Sequence, residues 1–194
     1  MSVKSILIVG VGGQGTLLAS KLLGGALVST GCDVKVSEVH GMSQRGGSVI
    51  TYVRYGENNE KVASPIIDMG EADVILSFEL LEAARYLPYL KTGGTIVTNT
   101  QRIDPMSVIT GAAQYPDEIV SQLEAKGAKV VAVDALSIAE ELGSAKAVNV
   151  VLLGMLSGQL DIAPEVWEET IRTGVPERFI DLNLKAFERG RAAE

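Results

Sequence analysis

The chain has 194 residues, 46% hydrophobic but only 5% aromatic, with a formal net charge of −7. That length supports one domain with a sizeable aliphatic core, and the acidic balance with scattered Lys and Arg excludes a basic surface for nucleic acid or an anionic membrane. One cysteine, Cys32, and one histidine, His40, exclude an internal disulfide, an iron–sulfur cluster and a structural zinc site, the latter two needing about four ligands.

Residues 4–9 form a short apolar run closed by Gly10, the pattern of a buried strand. Residues 14–30 read as a helix, in which Gly24 and Gly25 predict close approach to another backbone. Residues 33–39 give a second strand and residues 48–55 a third, rich in β-branched and aromatic side chains. The turn cluster at 55–60 predicts a hairpin from this third strand onto residues 61–63. A buried strand follows at 72–78, then a helix at 79–90 that Lys91-Thr-Gly-Gly94 is expected to stop.

Strands at 95–99 and 129–133 flank a helix at 116–126 with proline in its first turn. Asp134 is a suitable N-cap for a helix at 135–142, and three more helices are expected at 147–160, 164–172 and 176–191. This alternation predicts an α/β fold, a doubly wound, mostly parallel Rossmann-like sheet with helices on both faces and a helical C-terminus. An antiparallel excursion is expected around residues 48–63. Without internal repeats, linkers or low-complexity tracts, residues 1–194 read as a single domain. The first strand pattern starts at once, and the longest apolar run, 147–156, is about half of what spans a bilayer, so a cytoplasmic setting is expected.

The glycine turn Gly10-x-Gly12-Gly13-Gln14-Gly15 joins a strand to a helix start, where backbone N–H groups can face an anion. It matches the dinucleotide pattern, with Glu38 where a ribose-binding acid would end the second strand. Against an NAD site, no crossover helix follows Glu38 promptly, and no lysine–tyrosine pair or second histidine is available. The P-loop pattern is absent. The turn therefore either binds a phosphate, packs against a ligand held elsewhere, or only permits a tight bend.

A second segment crowds Glu38, His40, Ser43, Gln44 and Arg45 among Gly41, Gly46 and Gly47. If the second strand pairs beside the first, this segment and the glycine turn share one edge, the crevice edge of an α/β sheet. Arg45 can meet a phosphate or carboxylate, or form a plain salt bridge with Glu38. His40 is either a hydrogen-bonded structural residue or a donor to a ligand or partner chain. One loop cannot supply a nucleophile, base and oxyanion donors together, which excludes a triad.

Taken together, Gly10-x-Gly-Gly-Gln-Gly15 and Glu38-Val-His-Gly-Met-Ser-Gln-Arg-Gly-Gly-Ser48 resemble the gamma-type subunits of 2-oxoacid:ferredoxin oxidoreductases. Within that family they are most similar to the small (beta) subunits of the indolepyruvate ferredoxin oxidoreductases. Asn149-Val-Val-Leu-Leu-Gly154 resembles the family's late helix, so the resemblance covers essentially the whole chain.

The resemblance implies one subunit of an enzyme that oxidatively decarboxylates a 2-oxoacid, passes electrons to ferredoxin and forms an acyl-CoA. It also implies that a large catalytic subunit carries thiamine diphosphate, Mg and the iron–sulfur clusters. This chain has neither a Gly-Asp-Gly…Asn thiamine motif nor cluster cysteines, and is not expected to be active alone. Its implied role is to cover the thiamine site and help bind the co-substrate CoA. Gly10, Gly12, Gly13, Gln14, Gly15, Ser43, Gln44, Arg45, Gly46 and Gly47 are the residues expected at a cofactor, with Glu38, His40 and Arg45 facing the partner's site. No metal ligand is expected on this chain. The Val-His-Gly-Met-Ser-Gln-Arg form leans toward arylpyruvates, with pyruvate, 2-oxoglutarate and branched 2-oxoacids open. The alternatives are a stand-alone NAD- or FAD-binding protein and a non-enzymatic binding module.

Overall fold

The structure, a computed structural model, describes residues 3–40, 47–58 and 60–193. The first strand, β1 (Val3–Val11), is buried on both faces. Ile6 and Ile8 enter one hydrophobic cluster and Leu7 and Val9 the other, as the two-residue period of a strand requires. After β1 come α1 (Thr16–Ser29), β2 (Asp33–His40), β3 (Ser48–Gly56), β4 (Ala72–Ser77), α2 (Leu80–Tyr86) and β5 (Leu90–Asn99). The chain continues through α3 (Met106–Ile109), α4 (Ile119–Ala125), β6 (Lys129–Val133) and α5 (Ala135–Glu141). It ends in α6 (Val148–Ser157), α7 (Pro164–Gly174) and α8 (Ile180–Arg191).

The sheet order is β2-β3-β1-β4-β5-β6. β1, β4, β5 and β6 pair in parallel, whereas β3 runs antiparallel to both β1 and β2. Helices cover both faces: α1, α5, α6, α7 and α8 contribute to the first cluster, α2 and α4 to the second. The expected doubly wound, mostly parallel sheet is therefore present. Among the described residues no helix is long and apolar enough to cross a membrane.

The local differences have identifiable causes. β3 folds back on β2 rather than onto residues 61–63, which form no strand. In the helix expected at 79–90, Pro88 supplies no N–H. The segment tightens to a 3-10 turn at Leu87–Tyr89, and residues 91–94 belong to β5 rather than to a helix stop. The helix expected from Pro116 begins only at Ile119, because Glu118 takes a left-handed conformation (φ 53°). The short α3 has no counterpart in the expectations.

The close approach expected at Gly24 and Gly25 is to side chains, with Val36 and Thr170 3.6 and 3.2 Å from a Cβ built there. Backbone contact occurs instead between α6 and α8. A Cβ on Gly154 would lie 2.1 Å from the Phe187 carbonyl oxygen, and one on Gly190 would lie 2.0 Å from that of Val151. All ten residues of α6 are buried, so this helix is a layer of the core and α8 seals it. Gly154→Ala or Gly190→Ala must separate the helices at a cost of roughly 2–3 kcal/mol. Thermal unfolding of either variant should show a Tm lowered by roughly 5–10 °C.

Candidate ligand site at the carboxyl edge of the sheet

β1 and β4 are parallel neighbours whose following segments leave in opposite directions, α1 to one face and α2 to the other. That divergence opens a crevice at their carboxyl ends, the usual ligand position in an open α/β sheet. The glycine turn sits there. Gly15 precedes α1 with φ 86°, and a Cβ on it would lie 2.7 Å from Asn149 Nδ2, so the turn needs glycine here for both conformation and space. Gly15, at the N-cap, supplies no side-chain cap to α1, and among the described residues its first N–H groups are left at the crevice.

Gln14 holds this edge together. Its Oε1 accepts from the Val11 N–H at 2.7 Å, and its Nε2 donates to the Phe78 carbonyl at 3.0 Å and to Gln101 Oε1 at 3.2 Å. One carboxamide thus ties the ends of β1, β4 and β5. Gly12 N–H donates to the Gly47 carbonyl at 2.9 Å, joining the glycine turn to the start of β3.

β2 does not pair beside β1, as the shared-edge expectation assumed: β3 lies between them. The two motifs still meet, because β3, antiparallel to both, starts at the carboxyl end of β1 with Ser48 opposite Val11. The altered pairing does remove Glu38 from a dinucleotide geometry. It lies on a strand two spacings, about 9–10 Å, from β1, and its Oε1 accepts from Thr51 at 3.5 Å. Ser43, Gln44, Arg45 and Gly46 lie outside the described residues, as does the side chain of His40.

Beside the turn is a cleft of about 540 Å³ lined by Gly13, Gln14, Gly15, Gln101, Lys146 and Asn149, among others. That volume is in the range of small-molecule sites. Asn149 is 6% exposed; its Nδ2 reaches the Gly15 carbonyl at 3.5 Å, and its Oδ1 has no partner among the described residues. Sequence reasoning missed Gln101 and Lys146 as site residues. Gln101 was reachable by the crevice rule, since it follows the end of β5, but nothing local marks Lys146.

On the other side of Val11, buried carboxylates organise the neighbouring loops. Glu79 caps α2, accepting from Glu82 N–H at 2.9 Å, from Ile103 N–H at 3.0 Å and from the Tyr115 hydroxyl. Burial, with the Glu79 hydrogen bond, pushes the Tyr115 phenol above its ordinary value. Glu82 accepts from Ser48 at 2.5 Å and from Arg85 at 3.1 Å, anchoring the first residue of β3. Among the described residues no three His, Cys, Asp or Glu side chains gather as a metal site. Leu17, Val39, Met106 and Ile109 stand exposed on the elements that start or end at this edge.

Residues 5–193 match the family described as pyruvate ferredoxin/flavodoxin oxidoreductase. The chain is 49% identical over 191 residues to indolepyruvate oxidoreductase subunit IorB of Thermococcus kodakarensis, covering 96% of this chain and 93% of that one. It is 43% identical over 190 residues to the subunit of the same name from Archaeoglobus fulgidus, covering 96% and 92%. Its fold is similar to the crystal structure of pyruvate oxidoreductase subunit PORC from Thermotoga maritima, with a TM-score of 0.75, 23% identity and coverage of 99% and 97%.

Gln14→Ala strands the Val11 N–H and the Phe78 carbonyl at the sheet edge, which costs on the order of 2–4 kcal/mol. Urea unfolding should show a midpoint lowered accordingly, with the slope unchanged.

Proposed function

The chain belongs to the pyruvate ferredoxin/flavodoxin oxidoreductase family as a small subunit of a 2-oxoacid ferredoxin oxidoreductase, and on that premise we propose that it serves an arylpyruvate enzyme of the indolepyruvate type, covering the partner's active site and helping to bind CoA. The observation that carries this reading is the junction of the two motifs. Gly12 N–H bonded to the Gly47 carbonyl brings the glycine turn and the segment after Glu38 to one edge, beside a cleft large enough for part of a coenzyme. The indolepyruvate assignment is supported by the IorB relatives at 43–49% identity.

In this division of labour the large subunit holds the thiamine diphosphate, Mg and iron–sulfur clusters, which supply the decarboxylation and the path of electrons to ferredoxin. This chain's own residues bind and orient. The uncapped start of α1 favours a phosphate of CoA, and Gly10, Gly12, Gly13, Gln14 and Gly15 shape the turn that keeps this start open. Glu38, His40 and the segment Ser43, Gln44, Arg45, Gly46 and Gly47 face the partner, with Arg45 toward a carboxylate or phosphate there. The exposed apolar side chains Leu17, Val39, Met106 and Ile109 support a protein interface at this edge. The complex works in the cytoplasm.

A stand-alone dinucleotide-binding protein is the weaker reading, because Glu38 sits on a strand that β3 separates from the glycine turn. Calorimetry with NAD, NADP and FAD should give no tight binding to the chain alone.

Adding the purified chain to its large subunit should restore 2-oxoacid- and CoA-dependent reduction of an acceptor dye, fastest with indolepyruvate. Full activity of the large subunit by itself would overturn the reading. Arg45→Ala should raise the KM for CoA or abolish association of the subunits; if neither changes, that segment is structural.

A further inference from the structure

The amino edge of the sheet, opposite the crevice, holds a pocket of about 340 Å³ that the functional reading does not use. Three segments meet there: the residues that end and follow α1, the end of β3, and the residues after α6. Leu27, Leu160 and Ile162 give it apolar wall, and Tyr55, Glu57 and Asp161 give it oxygen.

Tyr55 marks this pocket as a site. The residue is 7% exposed and its ring packs in the larger core cluster. Burial first, then the nearby Glu57, Asp73 and Cys32, holds its phenol above the ordinary value, and no hydrogen bond contributes among the described residues. Glu57 and Cys32 line the pocket as Tyr55 does, which puts the hydroxyl end of this side chain at the pocket floor. A buried tyrosine hydroxyl normally finds a partner. Here the neutral oxygen is left open toward a space that a ligand can fill.

The electrostatics select a cation. α1 and α6 both start at the carboxyl edge and end at this one, so the negative ends of two helix dipoles meet here. Neither helix carries a basic residue in its last turn, and no Lys, Arg or His is among the described residues that line the pocket. Cys32, Glu57 and Asp161 do not gather closely enough to hold one metal ion together. Acceptors spread along a partly apolar wall suit an elongated organic cation instead.

We propose that this pocket binds an alkyl diammonium, with Glu57 and Asp161 at its two charged ends, the Tyr55 oxygen accepting from one of them, and Leu27, Leu160 and Ile162 along its carbon chain. The site does not depend on the functional reading above.

Calorimetry of the whole chain with 1,4-diaminobutane gives saturable binding that weakens as salt is raised. Neutral 1,4-butanediol does not bind, and magnesium does not displace the diamine. Tyr55→Phe keeps the ring in the core and loses the acceptor, weakening the diamine about tenfold with the Tm maintained. Asp161→Asn, at an exposed position, weakens it at least about threefold and leaves the activity of the assembled complex unchanged. The assembled complex binds the diamine as the free chain does.

The proposal is overturned if the diamine does not bind saturably, or if butanediol or magnesium takes its place. It is equally overturned if a folded Tyr55→Phe variant binds within about twofold of the parent. Binding that assembly with the large subunit abolishes assigns the pocket to the subunit interface and also removes the proposal. None of these results bears on whether the large subunit needs this chain for activity.

Discussion

The carboxyl edge of this sheet depends on one side chain that fulfils all its obligations internally. Gln14 accepts from the strand before its own turn and donates to the ends of two others. Parallel strands whose connections diverge leave carbonyl and N–H groups at their ends without ladder partners, and a buried edge cannot tolerate that. A carboxamide serves a donor and an acceptor at once from two separate atoms of one plane. With it in place the glycine turn is tied to the segments that follow β4 and β5, and the Gln101 side chain is held by its oxygen.

The second constraint is the antiparallel β3, inserted where a Rossmann sheet has its second parallel strand. Its register pairs Val11 with Ser48, so the segment between β2 and β3 ends directly against the glycine turn. Glu82, itself buried, accepts from that same Ser48 and fixes the junction from the other side. A nucleotide-type turn is thereby joined to the start of β3 rather than to a ribose-binding acid.

The far face serves stability. α6 is hydrophobic all round and wholly buried, and it can lie between the sheet and α8 only because Gly154 and Gly190 let two backbones touch. Trp167 and Phe187, with ring centres 5.5 Å apart, close that layer beside the contact. Through Lys146, just before α6, and Val148 and Asn149, its first residues, the same layer supplies a wall of the cleft. Core packing and cleft geometry are therefore coupled in one segment.

The alternation of apolar runs with helical patterns was enough to determine the class of fold, the strands β1 to β6 to within a few residues at most ends, and the glycine turn. These are properties of local periodicity and backbone freedom. The pairing of β2 was not legible, because a strand's partner is set by long-range packing that its own residues do not encode. Gly24 and Gly25 looked like a helix contact and Gly154 and Gly190 did not, since one glycine in a helix says nothing of what crosses it. The glycine turn was legible as a lining of the crevice, while Gln101 and Lys146 come from two distant segments and carry no local mark. The sequence by itself determined that a turn able to face an anion would end the first strand. Only the tertiary structure decided which amides face that space and with which end, because an amide's direction is set by backbone partners up to 64 residues away.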